Sequence, residues 1–264
     1  MDTPTSHRDA AHKAQNSSVV EAGARTGFAI SGVLHLMIAW IALRLAWGGG
    51  GGSADQSGAL GTLSSSPGGT VILWVAVLGF ALLAIWQLAE AVVGRHGAEA
   101  KDRASAAGKF VMYAALAFSA SKFARGGGSS SGEQSADFTA KLMGATGGRF
   151  LVGLLGLAVI AGGIYHVYKG WTSGFLEDLE SHPGRWAETS GRIGYVAKGV
   201  AFVIVGGLFG VAALQQQPEE ARGLDGALKT LGEQPFGSVL LTLIALGLAA
   251  FGVYCFAHAK HVKL

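Results

Sequence analysis

Six long apolar stretches alternate with polar segments along this chain. They cover residues 27–47, 70–93, 107–125, 149–169, 194–214 and 237–258. Each stretch is close to the roughly 20 helical residues that cross about 30 Å of hydrocarbon. All five prolines lie outside these stretches, so none interrupts a predicted helix. The pattern predicts an all-α, polytopic integral membrane protein with six transmembrane helices.

The basic residues indicate how these helices are oriented. If the N-terminus lies inside, thirteen of the 20 lysines and arginines fall on the inner side of the membrane. The cytoplasmic loops of multi-pass proteins carry such an excess of Lys and Arg. We therefore expect both termini in the cytoplasm.

Composition narrows the classes of function. Hydrophobic residues make up 50% of the chain and charged residues 14%, against about 25% charged residues in soluble domains. The formal charge of +3 is not gathered into a basic patch, which argues against a nucleic-acid partner. The single cysteine excludes an intramolecular disulfide and any Cys-based zinc spacing. The expected partner is the lipid bilayer, and association with another membrane protein or with a second copy is left open.

A pair of helices is repeated three times along the sequence. The units align on arginines that each precede a ring-bearing residue by ten positions: Arg25 and His35, Arg103 and Tyr113, Arg192 and Phe202. Their second helices align on Trp86, Tyr165 and Tyr254. This shared register predicts repeats at 25–94, 103–170 and 190–259, with polar tails at 1–24 and 260–264.

The number of spans in each unit constrains the assembly. Two is an even number, so all three units enter the membrane from the same side. Such repeats are parallel and are related by an axis along the membrane normal. We therefore expect three parallel two-helix repeats around a pseudo-threefold axis, with the repeat arginines at the cytoplasmic interface.

Two short motifs add a resemblance to a known family. Arg25-x-Gly27-Phe28 and Arg192-x-Gly194-Tyr195-x-x-Lys198-Gly199, together with the triplication over 24–259, resemble the bacterial membrane proteins built from domain of unknown function 1206. The middle unit departs from the pattern, with Ser105 and Ala106 in place of the glycine–aromatic pair. The resemblance implies a six-span inner-membrane protein and implies no activity.

His35 is the first candidate for a functional side chain. It lies ten residues beyond Arg25, so it is about 15 Å deeper along a helix and close to the bilayer midplane. An ionisable residue at that depth is a functional hypothesis by default. One interpretation is contact with protons, a substrate or a haem-like ligand. The other is a neutral ring that hydrogen-bonds between helices, at the position that Tyr113 occupies in the second unit.

A second polar set lies near the ends of the second helices. Glu90, Lys169 and His258 are equivalent by repeat, and His166 follows the aromatic anchor of the second unit. If the units pack symmetrically, the three equivalent residues meet at the inner surface as an ionic gate or ligand site. The alternative is that they extend to the headgroups, as long polar side chains do.

Each outer loop contains a short amphipathic piece before its second span. These pieces are residues 59–63, 138–142 and 227–231. We expect short helices that lie on the outer interface and cover the mouth of the bundle.

These observations favour a non-enzymatic structural or interaction component of the bacterial envelope. No catalytic motif, metal site or cofactor is predicted from the sequence. The first alternative is a small-solute or proton-linked transporter with its pathway along the pseudo-threefold axis. The second is a membrane enzyme or haem-like cofactor carrier that uses His35 or His166. A transporter requires a polar, water-accessible cavity near His35, whereas a bundle filled with Leu, Val and Gly excludes it.

Overall fold

The computed structural model describes residues 18–49, 52–93 and 100–261. These ranges form nine α-helices, and two short 3-10 helices lie at Gly174–Asp178 and Pro218–Glu220. Most of the predicted tail at 1–24 and part of that at 260–264 lie outside the described residues. The long helices are α1 (Ser18–Ala46), α3 (Gly69–Val93), α4 (Ala100–Ala124), α6 (Gly148–Trp171), α7 (Arg185–Gln215) and α9 (Gly237–His261). The short ones are α2 (Gln56–Ser64), α5 (Ser131–Met143) and α8 (Gly223–Gly232).

The six long helices lie on the six predicted apolar stretches, which confirms the all-α fold class. Five of them are long and apolar enough to cross a membrane: α1, α3, α6, α7 and α9. The sixth, α4, is long enough but carries Lys109 and several small residues along its length, which lowers its hydropathy. The described helices are thus those expected of a multi-pass membrane protein, with five candidate spans by length and composition.

Glycines allow α6 and α7 to pack with their backbones almost in contact. A Cβ added at Gly199 would lie 2.5 Å from the carbonyl oxygen of Gly163, and one added at Gly163 would lie 2.7 Å from that of Gly199. Gly156 and Gly206 form a second reciprocal pair further along the same two helices. Small residues at such a contact let helices approach closely where lipid supplies no hydrophobic driving force.

The long helices pack in the order α4–α3–α1–α9–α7–α6. Residue pairs along each contact show that neighbours are antiparallel, so α1, α4 and α7 run in one direction. The largest contacts join the second helix of one pair to the first helix of another: α3 to α4, α6 to α7, and α9 to α1. By contrast, α4 and α6, which form the middle pair, make almost no contact with each other.

Two of the repeat arginines cap the ends of neighbouring helices. Arg103 on α4 donates to the carbonyl oxygens of Ala91 and Val92 at 2.9 and 2.7 Å, at the end of α3. Arg192 on α7 donates to the last carbonyl of α6, that of Trp171, at 3.4 Å. A basic side chain at a helix C-terminus satisfies unpaired carbonyls and complements the helix dipole. These arginines therefore join each unit to the preceding one.

The outer cap consists of the three short helices α2, α5 and α8, at the positions predicted from the loops. The Oδ1 atom of Asp225 on α8 accepts a hydrogen bond from the backbone of Ala54 at 2.8 Å. The hydroxyl oxygen of Ser57 on α2 accepts one from the backbone of Ser131 at 3.0 Å. Short helices are thus found where the loops predicted them, and these bonds connect the three units to one another. The name outer cap follows the orientation expected from the basic residues.

The inner segment, residues 172–184, closes the opposite end of α6, α7 and α9. Phe175 is fully buried, with its ring 5.1 Å from that of Tyr195 and 5.0 Å from that of Tyr254. The backbone of Glu180 donates to the carbonyl of His261 at 2.8 Å. The segment therefore seals these three helices on the side where α9 ends.

Candidate functional site

His35 faces the interior of the bundle, between α1 and α9. Its Nδ1 atom lies 2.7 Å from the carbonyl oxygen of Ser31, one turn earlier in α1. A carbonyl only accepts, so Nδ1 carries the proton and Nε2 keeps its lone pair. The ring lies 4.7 Å from that of Phe251 on α9. The ring thus hydrogen-bonds within its own helix and meets the neighbouring helix through an aromatic contact.

His166 repeats this local arrangement on α6. Its Nδ1 atom lies 2.8 Å from the carbonyl oxygen of Gly162, so its Nε2 atom also keeps a lone pair. The ring contacts Phe202 at 5.3 Å and Tyr195 at 5.8 Å, both on α7. Both interior histidines are therefore oriented by their own helix and held laterally by rings.

Lys198 lies between these two histidines. Its Nζ atom is 4.3 Å from the centre of the Phe251 ring and 5.7 Å from that of Phe202. The same two rings contact the histidines, Phe251 that of His35 and Phe202 that of His166. Among the described residues, no carboxylate lies within ion-pair distance of Lys198. The interior thus contains a cation whose contacts are aromatic.

The contacts extend through the bundle as one connected group, here called the aromatic network. Tyr254 lies 5.7 Å from Tyr195 and 5.6 Å from His258, and His258 stacks on Phe28 at 4.1 Å. Phe28 lies 6.4 Å from Tyr113 on α4. The members of the network are His35, Phe251, Lys198, Phe202, His166, Tyr195, Tyr254, His258, Phe28 and Tyr113.

The predicted polar set near the inner surface is distributed among different contacts. Lys169 forms an ion pair with Asp178 of the inner segment at 2.6 Å. His258 belongs to the aromatic network, and the charges of Lys169 and Asp178 reach it. Glu90 is half-buried in the last turns of α3. Lys169 is thus paired with the inner segment, whereas His258 packs among the rings of Phe28 and Tyr254.

Lys198, Phe251 and Tyr195 were missed as site residues by sequence reasoning. Lys198 lies six residues beyond Arg192, as Lys109 does beyond Arg103, and this spacing was assigned only to orientation. A lysine within the apolar stretch 194–214 was the signal that could have identified the site. Phe251 carries no such signal, because a single phenylalanine in an apolar helix is ordinary.

The described residues contain no group of three or more histidine, cysteine or acidic side chains placed to hold a metal ion. Within the aromatic network, the atoms best suited to bind a metal ion are the Nε2 atoms of His35 and His166, because their Nδ1 atoms are already hydrogen-bonded. The carbonyl oxygen of Gln87, the repeat equivalent of His166, is buried and has no hydrogen-bond partner among the described residues. Polar atoms of this kind usually bind water or a ligand.

Comparison with known proteins matches each pair of long helices to the same family. The model of the Domain of Unknown Function family DUF1206 matches residues 26–94, 104–173 and 193–261. The chain is 29% identical over 240 residues to an uncharacterized protein, YxxB, of Bacillus subtilis (strain 168), which covers 87% of this chain and 86% of that protein. No solved structure matches the chain significantly. The matches show the triplication and carry no statement of activity.

Proposed function

Since this chain belongs to the DUF1206 family, whose function is unknown, we propose that it is a six-span inner-membrane protein that binds and passes a small solute through its interior. The three helix pairs stand around a pseudo-threefold axis. Both termini lie in the cytoplasm. The protein acts by binding and conformational change, without covalent chemistry.

The sixth span in this proposal is α4. It has 25 residues, enough for about 37 Å of helix. Its packing against α3 and the capping of α3 by Arg103 are the counterparts of the α6–α7 contact and of the Arg192 bond. A helix that packs like its two repeat equivalents is expected to cross as they do.

The observation that carries the solute function is the composition of the interior. A charged lysine, two histidines and several tyrosines face one another there, and His35, His166 and Lys198 are half-buried. Ionisable groups within a membrane are costly and mark substrate pathways more often than they serve packing. A purely structural bundle gains more from aliphatic packing at these positions.

The closures at both ends support the same proposal. The outer cap covers one end of the bundle, and the inner segment covers the other end of three helices, α6, α7 and α9. A carrier is closed at one or both ends at each stage of its cycle, so that solute reaches its site from one side at a time. The arrangement corresponds to an occluded state.

The native cysteine provides a test of this proposal. Cys255 is the only cysteine in the chain and is buried beside the aromatic network. Small water-soluble methanethiosulfonate reagents are applied to the full-length protein in proteoliposomes, and modification of Cys255 is followed by mass spectrometry. We expect modification within minutes, because opening of a carrier admits water to this layer.

A matched control uses a second buried position on the same helix. Ala245 on α9 is fully buried in the apolar core, and Ala245→Cys is made together with Cys255→Ser. We expect this cysteine to stay unmodified. If Cys255 is as unreactive as the control, the interior is dry and the solute function is wrong. The structural or interaction role expected from the sequence would then be the better description.

A further inference from the structure

The net charge of the interior is the starting point. Lys169 is balanced by Asp178, since their charged atoms lie 2.6 Å apart. The ammonium group of Lys198 lies over the rings of Phe251 and Phe202, against which His35 and His166 pack, and none of these side chains is an acid. Lys198 therefore contributes a positive charge that the described part of the chain does not neutralise.

Aromatic contacts alone offset little of the free energy that is needed to bury the ammonium group of Lys198. The faces of Phe251 and Phe202 attract the ammonium group, but phenylalanine is a poorer partner than tryptophan, and a ring bears no net charge. Taking an ammonium group out of water costs several kcal/mol unless an anion accompanies it. A methionine would fill the same volume without that cost.

From this imbalance we infer that the interior site takes a small oxyanion, with the ammonium group of Lys198 as its counter-ion. The ligand carries a phosphate, sulfate or carboxylate group. The inference rests on the proposed function and adds the chemical class of the solute. Asp178 of the inner segment is paired with Lys169, so this acid is already neutralised.

The sign of the preferred charge can be measured at Cys255 before the natural ligand is known. Two reagents of similar size are compared, the anionic methanethiosulfonate ethylsulfonate and the cationic methanethiosulfonate ethylammonium. Any change in the reactivity of the thiol itself affects both rates equally, so their ratio reports only the charge of the reagent. We expect the anionic reagent to react faster relative to free thiol in solution, and Lys198→Met to reduce that ratio by about tenfold.

Two further variants separate charge from structure. Lys198→Arg keeps the charge and is expected to keep the ratio. Lys109→Met removes the repeat-equivalent lysine, which is exposed on α4, and is expected to leave the ratio nearly unchanged. A different outcome is that both reagents react with a rate ratio that equals that of free thiol and that Lys198→Met leaves unchanged. In that case the anion inference is wrong and the proposed function stands. If neither reagent reacts, the proposed function itself is wrong.

A protection experiment separates two sources of the oxyanion. Inorganic phosphate or sulfate is added to proteoliposomes of phosphatidylcholine, and in a second arm the vesicles contain phosphatidylglycerol without added anion. Slower modification of Cys255 with the free anions indicates a soluble ligand, and slower modification with phosphatidylglycerol indicates a lipid headgroup. Either effect should disappear in Lys198→Met. Protection in neither arm would overturn the site.

Discussion

At the scale of single residues, glycine decides how closely the long helices approach. Gly163 and Gly199 face each other across α6 and α7, and each occupies the place where a side chain of the other would lie. Glycines elsewhere on the same helices face open space, as Gly207 does. The same residue type thus has two different roles on one helix, and only the contacts distinguish them.

Gly199→Ala is expected to destabilise the protein by about 1–3 kcal/mol, because the new methyl group meets a backbone carbonyl that cannot move aside. Gly207→Ala, eight residues further on the same helix and facing open space, is expected to be neutral or slightly stabilising, since alanine favours helix. The measurement is thermal unfolding of both variants in the same detergent. Equal midpoints would show that the close contact is not essential.

At the scale of elements, the outer cap depends on a few buried hydrogen bonds. Asp225 is almost fully buried, and it accepts from the Ala54 backbone and pairs with Lys229 at 2.7 Å. Burial removes water as a substitute partner, so the loss of this acceptor leaves an unpaired backbone amide. The lysine is nearly half exposed and makes the weaker bond.

Asp225→Ala is expected to cost about 1–3 kcal/mol and to speed hydrogen exchange at the amide of Ala54. Lys229→Met, which removes only the exposed partner, is expected to cost less than about 1 kcal/mol. Exchange is measured by mass spectrometry on peptides from the loop that precedes α2. Similar exchange in the two variants would mean that the Asp225–Ala54 bond does not secure the cap.

At the scale of the whole molecule, the central question is whether α4 crosses the membrane. Five long helices are both long enough and apolar enough to cross a membrane. The helix α4 is long enough but less apolar, although it packs against α3 as its repeat equivalents α1 and α7 pack against α9 and α6. With six spans, the loops before α3, α5 and the 3-10 helix Pro218–Glu220 lie on one side. With five spans, every segment after α4 changes sides.

Single cysteines in a Cys255→Ala background distinguish these topologies. Ser65→Cys, Ser129→Cys and Gln217→Cys are all at exposed loop positions, and Thr172→Cys lies in the inner segment. We expect a membrane-impermeant maleimide to label the first three on intact cells and the last only after permeabilisation. Labelling of Thr172→Cys on intact cells, with protection of Ser129→Cys, would exclude α4 as a span.

Much of the fold could be predicted from periodicity, and less of the site. The apolar stretches predicted every long helix, and the loop pieces predicted the outer cap. The repeat register also aligned Arg103 with Arg192, which the structure finds in equivalent capping bonds. Such features depend on spacing within one segment, and the sequence displays spacing directly.

The site depended on contacts between segments that no single stretch reveals. His35 was predicted to lie near the bilayer midplane, but its partner Phe251 lies on the last helix, 216 residues later. Asp178 was not considered, because the segment that carries it showed no motif, yet it binds Lys169. Lys198 was assigned to the inner surface because lysines near helix ends usually mark orientation.

The weak contact between α4 and α6 determines where this bundle can widen at least cost. Every other neighbouring pair interlocks through glycines, rings or arginine caps, and separating such a pair breaks close packing. The middle pair is joined mainly by the covalent chain from 125 to 147, so the halves α1–α3–α4 and α6–α7–α9 can hinge about the α1–α9 contact. Opening at this seam would expose the interior sideways, between the two long helices of the second repeat.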